Sequence, residues 1–293
     1  MKVEANAKVN LTLEVFDRRA DGYHALRSVV MPISLCDMID IEPTDDGSIT
    51  GDTDYDDDLC VKAARALKCV ATVRQGARIR VVKRIPAGGG LGGGSADAAA
   101  VLRALNELWK VGLPRRELAE VSAQVGSDVP ALVMGGPVVM EGRGEIVKPI
   151  GTCAYGDLPS ENRGPRPSGH ARTLNLVLVN PGVQSSTQEV YANCVARELG
   201  AEDATAKMVE ALVSGNLDRI AAALMNDLLM PAVGLHPEIA DALASLRTAG
   251  VAGAMMSGSG SCVFGLVPDA AAAERISSGL NARGLRAWPV QTA

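Results

Sequence analysis

Six of the seven residues from Gly88 to Gly94 are glycine, interrupted only by Leu91. Such a run brings backbone N–H groups close to an anion, because no Cβ holds the ligand away. Before it, Ala77–Lys83 alternates like a strand and Pro86 opens the loop. After it come Ser95 and an alanine-rich stretch, Ala96–Trp109, with Val101, Leu102, Leu105, Leu108 and Trp109 at helical spacing. The pattern predicts a strand, a glycine loop and a helix starting near Ser95 or Asp97. A helix N-terminus offers unpaired N–H groups and the positive end of the helix dipole, so this stretch suits phosphate binding. A plain turn needs one or two glycines rather than six. A Walker loop is excluded, since Gly94 leads into Ser95-Ala96 where that loop requires Lys and then Ser or Thr. The dinucleotide spacing arises in any glycine run and carries little weight.

Four further places hold residues with chemical potential. Lys8, Asn10 and Thr12 share one face of the alternating strand Val3–Val15, and Val9, Leu11 and Leu13 share the other. Asp21-Gly22 signals a turn, with Tyr23-His24 just beyond it at the start of an extended run, Ala25–Leu35. Asp128 lies in Gly126-Ser-Asp-Val-Pro130, where it could cap a helix starting at Val129 or Pro130. Met256-Ser-Gly-Ser-Gly-Ser261 is a second glycine loop, set between two short strands. Each has a plain reading when taken alone: a solvated face, a surface turn, a helix cap, a hairpin.

The elements that must position these residues follow from the rest of the chain. Asp37–Thr50 reads as a strand and turn, leading to an acidic run, Asp52–Asp58, of the kind that forms solvated loops. Helices are expected at Leu59–Val73, Pro114–Ala123, Ala204–Val213, Leu217–Leu224, Pro237–Ala249 and Ala270–Leu280. Gly135–Glu145 reads as a hairpin, Leu174–Asn180 and Arg286–Val290 as strands, and Asn226–Leu228 as a turn. Gly151–Arg172 is irregular and rich in Gly, Pro, Ser and Arg, so it reads as a linker or surface loop. The 293 residues carry a net charge of −5 and only 3% aromatics, which excludes the basic, ring-studded surface of a nucleic-acid binder. The six cysteines show no metal spacing, and no apolar run approaches membrane-spanning length. The expectation is a cytoplasmic protein with reduced thiols and no membrane partner.

The loop Pro86-Ala-Gly-Gly-Gly-Leu-Gly-Gly-Gly-Ser-Ala96 resembles the second motif of the galactokinase, homoserine kinase, mevalonate kinase and phosphomevalonate kinase (GHMP) family. Ala7-Lys-Val-Asn-Leu11 resembles the family's first motif and Met256–Ser261 its third, in the right order. Arg19-Ala-Asp-Gly-Tyr-His24 and the doubled triple glycine are similar to the branch that phosphorylates a cytidine-diphosphate-linked methylerythritol in isoprenoid precursor synthesis. The resemblance implies an α/β (α+β) fold in two parts with the active site between them. These are an ATP-binding domain over residues 1–150 and a ferredoxin-like domain over 173–293, joined by 151–172.

The same resemblance implies ATP, with Mg²⁺ as its counter-ion, and a kinase that is a monomer or homodimer. Lys8 and Asp128 would be catalytic, Asp128 as the general base. Asp58, Leu59, Lys83, Pro86, Gly88, Gly89, Gly90, Leu91, Gly92, Gly93, Gly94 and Ser95 would surround the nucleotide. Asn10, Tyr23, His24, Thr187 and Tyr191 would meet the substrate, with Tyr23 and Tyr191 sandwiching the cytosine and His24 on its edge. Asp58 departs from the branch, which has asparagine there, and an ionised Asp accepts but cannot donate to adenine. No carboxylate cage for a metal is visible, so Mg²⁺ would rest on phosphate oxygens, Ser95 and water. Two rivals remain at this stage. Another kinase of the family would lack the Tyr23-His24 motif, and a non-catalytic nucleotide-binding protein should have lost Lys8 or Asp128.

Overall fold

β1 (Lys2–Arg18) and β2 (His24–Thr44) form a long antiparallel hairpin on which the first half of the chain is assembled. The computed structural model describes residues 1–52, 58–150, 173–197 and 203–293. The irregular stretch Gly151–Arg172 and most of the acidic run therefore lie outside the described residues. Asp21-Gly22 makes the expected turn: Gly22 has φ +83°, and the Arg19 N–H donates to the Tyr23 carbonyl at 2.7 Å. The chain continues through β3 (Ile49–Thr50), α1 (Leu59–Ala71), β4 (Gly76–Val82), α2 (Gly93–Leu108), α3 (Arg115–Ser122) and α4 (Val129–Met134). The hairpin β5 (Val138–Gly142) and β6 (Ile146–Pro149) closes this half.

Along one edge β2 takes two partners, β5 beside Leu26–Val30 and β4 beside Met38–Thr44. β1 runs along its other edge, with register shifts on either side of Lys8 and Asn10. From Ala7 to Val15 β1 is buried on both faces, so the Lys8–Asn10–Thr12 face is internal rather than solvated. α2 lies against β1 and α1 through a face of Ala96, Ala99, Ala100 and Ala104, whose small side chains allow close approach.

The second half runs through β7 (Asn175–Asn180), α5 (Thr187–Ala192), α6 (Ala204–Ser214), α7 (Leu217–Ala222), β8 (Met225–Asn226) and α8 (Leu229–Leu235). It ends with α9 (Glu238–Thr248), β9 (Gly253–Met256), β10 (Val263–Val267), α10 (Ala270–Ala282) and β11 (Arg286–Gln291). The second sheet has the order β11-β7-β10-β9 and is antiparallel throughout. Setting aside the elements inserted after β7, the run β7-α9-β9-β10-α10-β11 is a ferredoxin-like βαββαβ unit. Strand alternation divides its core: Val177, Val179, Val263 and Val267 pack with α9 and α10, whereas Leu176, Leu178, Phe264 and Leu266 join the main core with Leu11 and Leu102.

The expected turn is present at Asp227 and Leu228, where the Leu228 N–H donates to Asn226 Oδ1 at 2.9 Å, and a short strand leads into it. Met225 and Asn226 form β8, which pairs in parallel with Thr12 and Leu13 of β1. Asp227 holds the contact, its N–H on the Leu13 carbonyl at 3.0 Å and its Oδ2 on the Val15 N–H at 2.9 Å. The helix α8 follows, unforeseen because it contains Pro231 and Gly234; Pro231 falls in the first turn, where no N–H is needed. Among the described residues no helix is long and apolar enough to cross a membrane.

Candidate active site

α2 begins at Gly93, two residues earlier than expected at the nearest, with Gly92 as its N-cap at φ +67°. The Ala96 N–H reaches the Gly92 carbonyl at 2.8 Å, leaving the N–H groups of Gly93, Gly94 and Ser95 without an intrahelical acceptor. The third glycine motif packs directly beneath this loop. The Ser257 Oγ donates to the Gly90 carbonyl at 2.9 Å and the Cys262 N–H to the Gly89 carbonyl at 3.1 Å. Gly90 has φ +70°, and a Cβ there would come within 2.0 Å of the Ser257 carbonyl oxygen. Gly90→Ala is therefore expected to destabilise the protein by more than the ~1–3 kcal/mol of left-handed strain alone. Thermal unfolding should show the loss, and nucleotide binding should weaken with it.

Asn226 is the residue that sequence reasoning missed. Its Nδ2 donates to the Met256 and Gly258 carbonyls at 2.9 and 2.8 Å, and its Oδ1 accepts the Leu228 N–H at 2.9 Å. It thereby ties β8 to the third motif. A buried Asn beside an Asp was the only signal available, and it reads equally well as a turn.

Lys8 is 3% exposed, and its ammonium finds three acceptors. The Nζ donates to Asn10 Oδ1 at 2.7 Å and to the Gly90 carbonyl at 3.0 Å, and stands 3.3 Å from Asp128 Oδ2. Three N–H groups thus face three oxygens. Asn10 in turn donates its Nδ2 to Ser28 Oγ at 2.8 Å, so the arrangement displayed by Asn10 is the orientation of Lys8. Gly92 leaves the room required: a Cβ there would lie 3.1 Å from Lys8 Cε and 3.5 Å from Asp128 Oδ2. Asp128 occupies the N-cap position of α4, yet its side chain makes no capping bond. The carboxylate turns toward Lys8 and remains 30% exposed on the other side.

Asp58 and Leu59 start α1 beside the first turn of α2, with Leu59 Cδ1 only 3.4 Å from where a Gly94 Cβ would be. The Asp58 Oδ1 caps α1, accepting the Cys60 N–H at 2.8 Å and the Val61 N–H at 3.4 Å. Lys83 is gripped by two buried carboxylates, Asp37 Oδ2 at 2.5 Å and Asp97 Oδ2 at 2.7 Å. Asp37 also accepts the Ile85 N–H at 2.8 Å, whereas Asp97 Oδ1 is buried without any hydrogen-bond partner. Desolvation is the largest influence on Lys83 and pulls it down, but the bonds to Asp37 and Asp97 together hold it above its usual value. Burial pushes the Asp97 carboxyl up to about 7; Lys83 opposes the rise and Asp37 adds to it.

The unfolded carboxyl ionises near ~3.9, so the folded state binds this proton more tightly. The resulting stability is complete below that pH and is lost as pH rises through about 7. Asp97→Asn should flatten the profile. Relative to the variant, the wild type should lose on the order of 2–3 kcal/mol between about pH 5 and pH 8, read by denaturant unfolding.

At the start of β2, His24 Nδ1 donates to the Phe16 carbonyl at 2.8 Å and its Nε2 accepts from Arg18 Nε at 3.3 Å. This pattern defines the Nδ1–H tautomer and leaves only an acceptor for exchange. The Tyr191 ring meets His24 with centroids 5.8 Å apart. Burial, then the Asp128 charge, pushes the Tyr191 phenol up. Tyr23 is 55% exposed and has the Arg143 guanidinium 5.5 Å over its ring, so its neighbour is Arg143 rather than Tyr191. Thr187 Oγ1 and Ser259 Oγ share a hydrogen bond of 2.8 Å, which seats the start of α5 on the third motif. Among the described residues no group of three His, Cys, Asp or Glu could hold a metal ion.

Known proteins with this arrangement are readily found. Residues 58–136 match the GHMP kinases N terminal domain and residues 208–285 the GHMP kinases C terminal region. A 4-diphosphocytidyl-2-C-methyl-D-erythritol kinase of Pelotomaculum thermopropionicum is 40% identical over 281 residues, covering 94% of this chain and 91% of the relative. One of Symbiobacterium thermophilum is 37% identical over 298 residues, covering 100% and 99%. A crystal structure of 4-(cytidine 5'-diphospho)-2C-methyl-D-erythritol kinase matches with a TM-score of 0.80 at 33% identity, with both chains covered in full. A homoserine kinase from Cytophaga hutchinsonii, at 18% identity and a TM-score of 0.73, shares the fold. Identity at this level over nearly the whole length, on the same fold, makes the chain a member of the GHMP kinase family, among its 4-diphosphocytidyl-2-C-methyl-D-erythritol kinases.

Proposed function

We propose that this kinase transfers the γ-phosphoryl group of ATP to the 2-hydroxyl of 4-diphosphocytidyl-2-C-methyl-D-erythritol, in non-mevalonate isoprenoid precursor synthesis. The observation that carries the reading is the buried Lys8 ammonium beside the Asp128 carboxylate, on the rim of a loop whose next helical turn offers free N–H groups. Phosphoryl transfer asks for alignment and charge neutralisation, and these residues supply both. The N–H groups of Gly93, Gly94 and Ser95 hold phosphate oxygens. Asp128 accepts the hydroxyl proton as the oxygen bonds to phosphorus, and the bond to the bridging oxygen breaks to release ADP. Lys8 offsets charge on the moving group. Ser95 and Asp128 are hard oxygen donors suited to Mg²⁺, which would neutralise the phosphates when bound with ATP.

On the substrate side, His24 Nε2 is an acceptor that would exchange Arg18 for the amino group of cytosine, and Tyr191 offers the adjacent ring. Tyr23 would cover the opposite face by turning from Arg143. We read 1–150 and 173–293 as the two lobes of the cleft and the cytoplasm as its setting, which suits the five free thiols among the described residues. An ADP-release assay with Mg·ATP tests the proposal, offering the cytidine compound beside homoserine and mevalonate. Turnover of the cytidine compound alone is expected. Turnover of another alcohol would overturn the substrate, and none at all would favour a binding protein.

A further inference from the structure

At the end of α4 remote from Asp128 lies a cavity of about 130 Å³, lined by Asn6, Arg103, Arg115, Leu132, Gly135 and the last residue, Ala293, among others. Arg103 comes from α2 and Arg115 is the first residue of α3. Arg103 Nη1 donates to the Leu132 carbonyl and Arg115 Nη1 to the Met134 carbonyl, both at 2.6 Å. These bonds fix the two guanidiniums against the last turn of α4 without neutralising them. Among the described residues no carboxylate forms an ion pair with either one, and each keeps further N–H donors unused.

We propose that this cavity binds a small tetrahedral oxyanion of the phosphate type, at a site separate from the nucleotide loop. Two planar, forked cations converging on one space are the arrangement that phosphate oxygens take up with paired, charge-assisted hydrogen bonds. The present balance is unfavourable without such a guest. Burial, and then the charge of Arg115, lowers Arg103 to about 10, a cost that an intervening anion would relieve. Arg115 also stands in the first turn of α3, where the helix dipole disfavours a cation. The seat is shaped for the guanidinium: Gly135 has φ +72°, and a Cβ there would come within 2.6 Å of Arg115 Nη1. At about 130 Å³ the cavity has room for a phosphate-sized group.

The test is calorimetric titration with inorganic phosphate at ionic strength held constant with chloride, with the glycine loop saturated by Mg·ADP. One saturable site is expected, weakened at least about tenfold in Arg115→Gln and in Arg103→Gln, a difference of about 1.4 kcal/mol. Unchanged ADP affinity shows that each variant is folded; if Arg103→Gln fails to fold, Arg115→Gln carries the result. A parallel titration with glycerol 3-phosphate distinguishes the sources. Binding of phosphate alone assigns the free anion, and binding of both assigns the phosphoryl group of a metabolite. No saturable binding, or equal binding by wild type and Arg115→Gln, overturns the site. Should ADP itself not bind, the nucleotide reading fails, and Arg115-dependent phosphate binding without ADP still decides this one.

Discussion

Asp128→Asn is expected to lower kcat by about 10²–10⁴-fold while Mg·ATP still binds. The amide has the shape of the carboxylate but cannot take the hydroxyl proton. The fold has little to lose, because the Asp128 side chain makes no capping bond to α4. Lys8 keeps its bonds to Asn10 and Gly90, and the asparagine oxygen remains able to face it. Single-turnover kinetics together with calorimetric titration of ATP separates the steps. An unchanged kcat would remove Asp128 from the path of the proton.

Lys8→Met should lower kcat by about 10²–10³-fold, the scale seen when one preorganised charge-stabilising group is lost. Methionine preserves the apolar stem that packs against Gly92, so the variant isolates the ammonium. A stability cost accompanies the kinetic one, and the hydrogen bonds indicate its size. The Gly90 carbonyl retains Ser257 Oγ as a donor, whereas Asn10 Oδ1 loses Lys8. One buried acceptor left unpaired costs about 1–3 kcal/mol. Measuring kcat on the folded fraction, beside denaturant unfolding, distinguishes the roles. A lysine that only supports the loop would lower stability and leave the folded enzyme's turnover intact.

The parts of the site that the sequence displayed are those whose requirements are local. Glycines at 88, 90 and 92 all have positive φ, a backbone demand that shows as composition. Asp58 before the apolar run Leu59–Ala71 is likewise a recognisable N-cap. The Lys83 clamp was hidden because Asp37 and Asp97 lie 46 and 14 residues from their cation. Neither carboxylate shares a helix or strand with Lys83. Asn226 was hidden for the same reason, since its partners stand 30 and 32 residues away. Motif positions put Tyr23 and Tyr191 on the substrate side, but they do not say that Arg143 lies over the Tyr23 ring. Long-range pairing of polar groups is a property of the packed fold.

The stitching of β1 and the glycine loop by later parts of the chain bears on how the protein is made. Ser257 reaches Gly90 across 167 residues, Asp227 reaches Val15 across 212, and Gln291 reaches Ser34 across 257. A ribosome adding about 5–20 residues per second leaves the phosphate loop without its buttress for roughly 10–30 s. During that interval the nascent chain presents a bare β1 edge, the feature that invites mispairing. Nucleotide cannot rescue such a chain, because the loop that would grip it is the one still waiting for residue 257. Folding of this kinase therefore finishes late in its own synthesis.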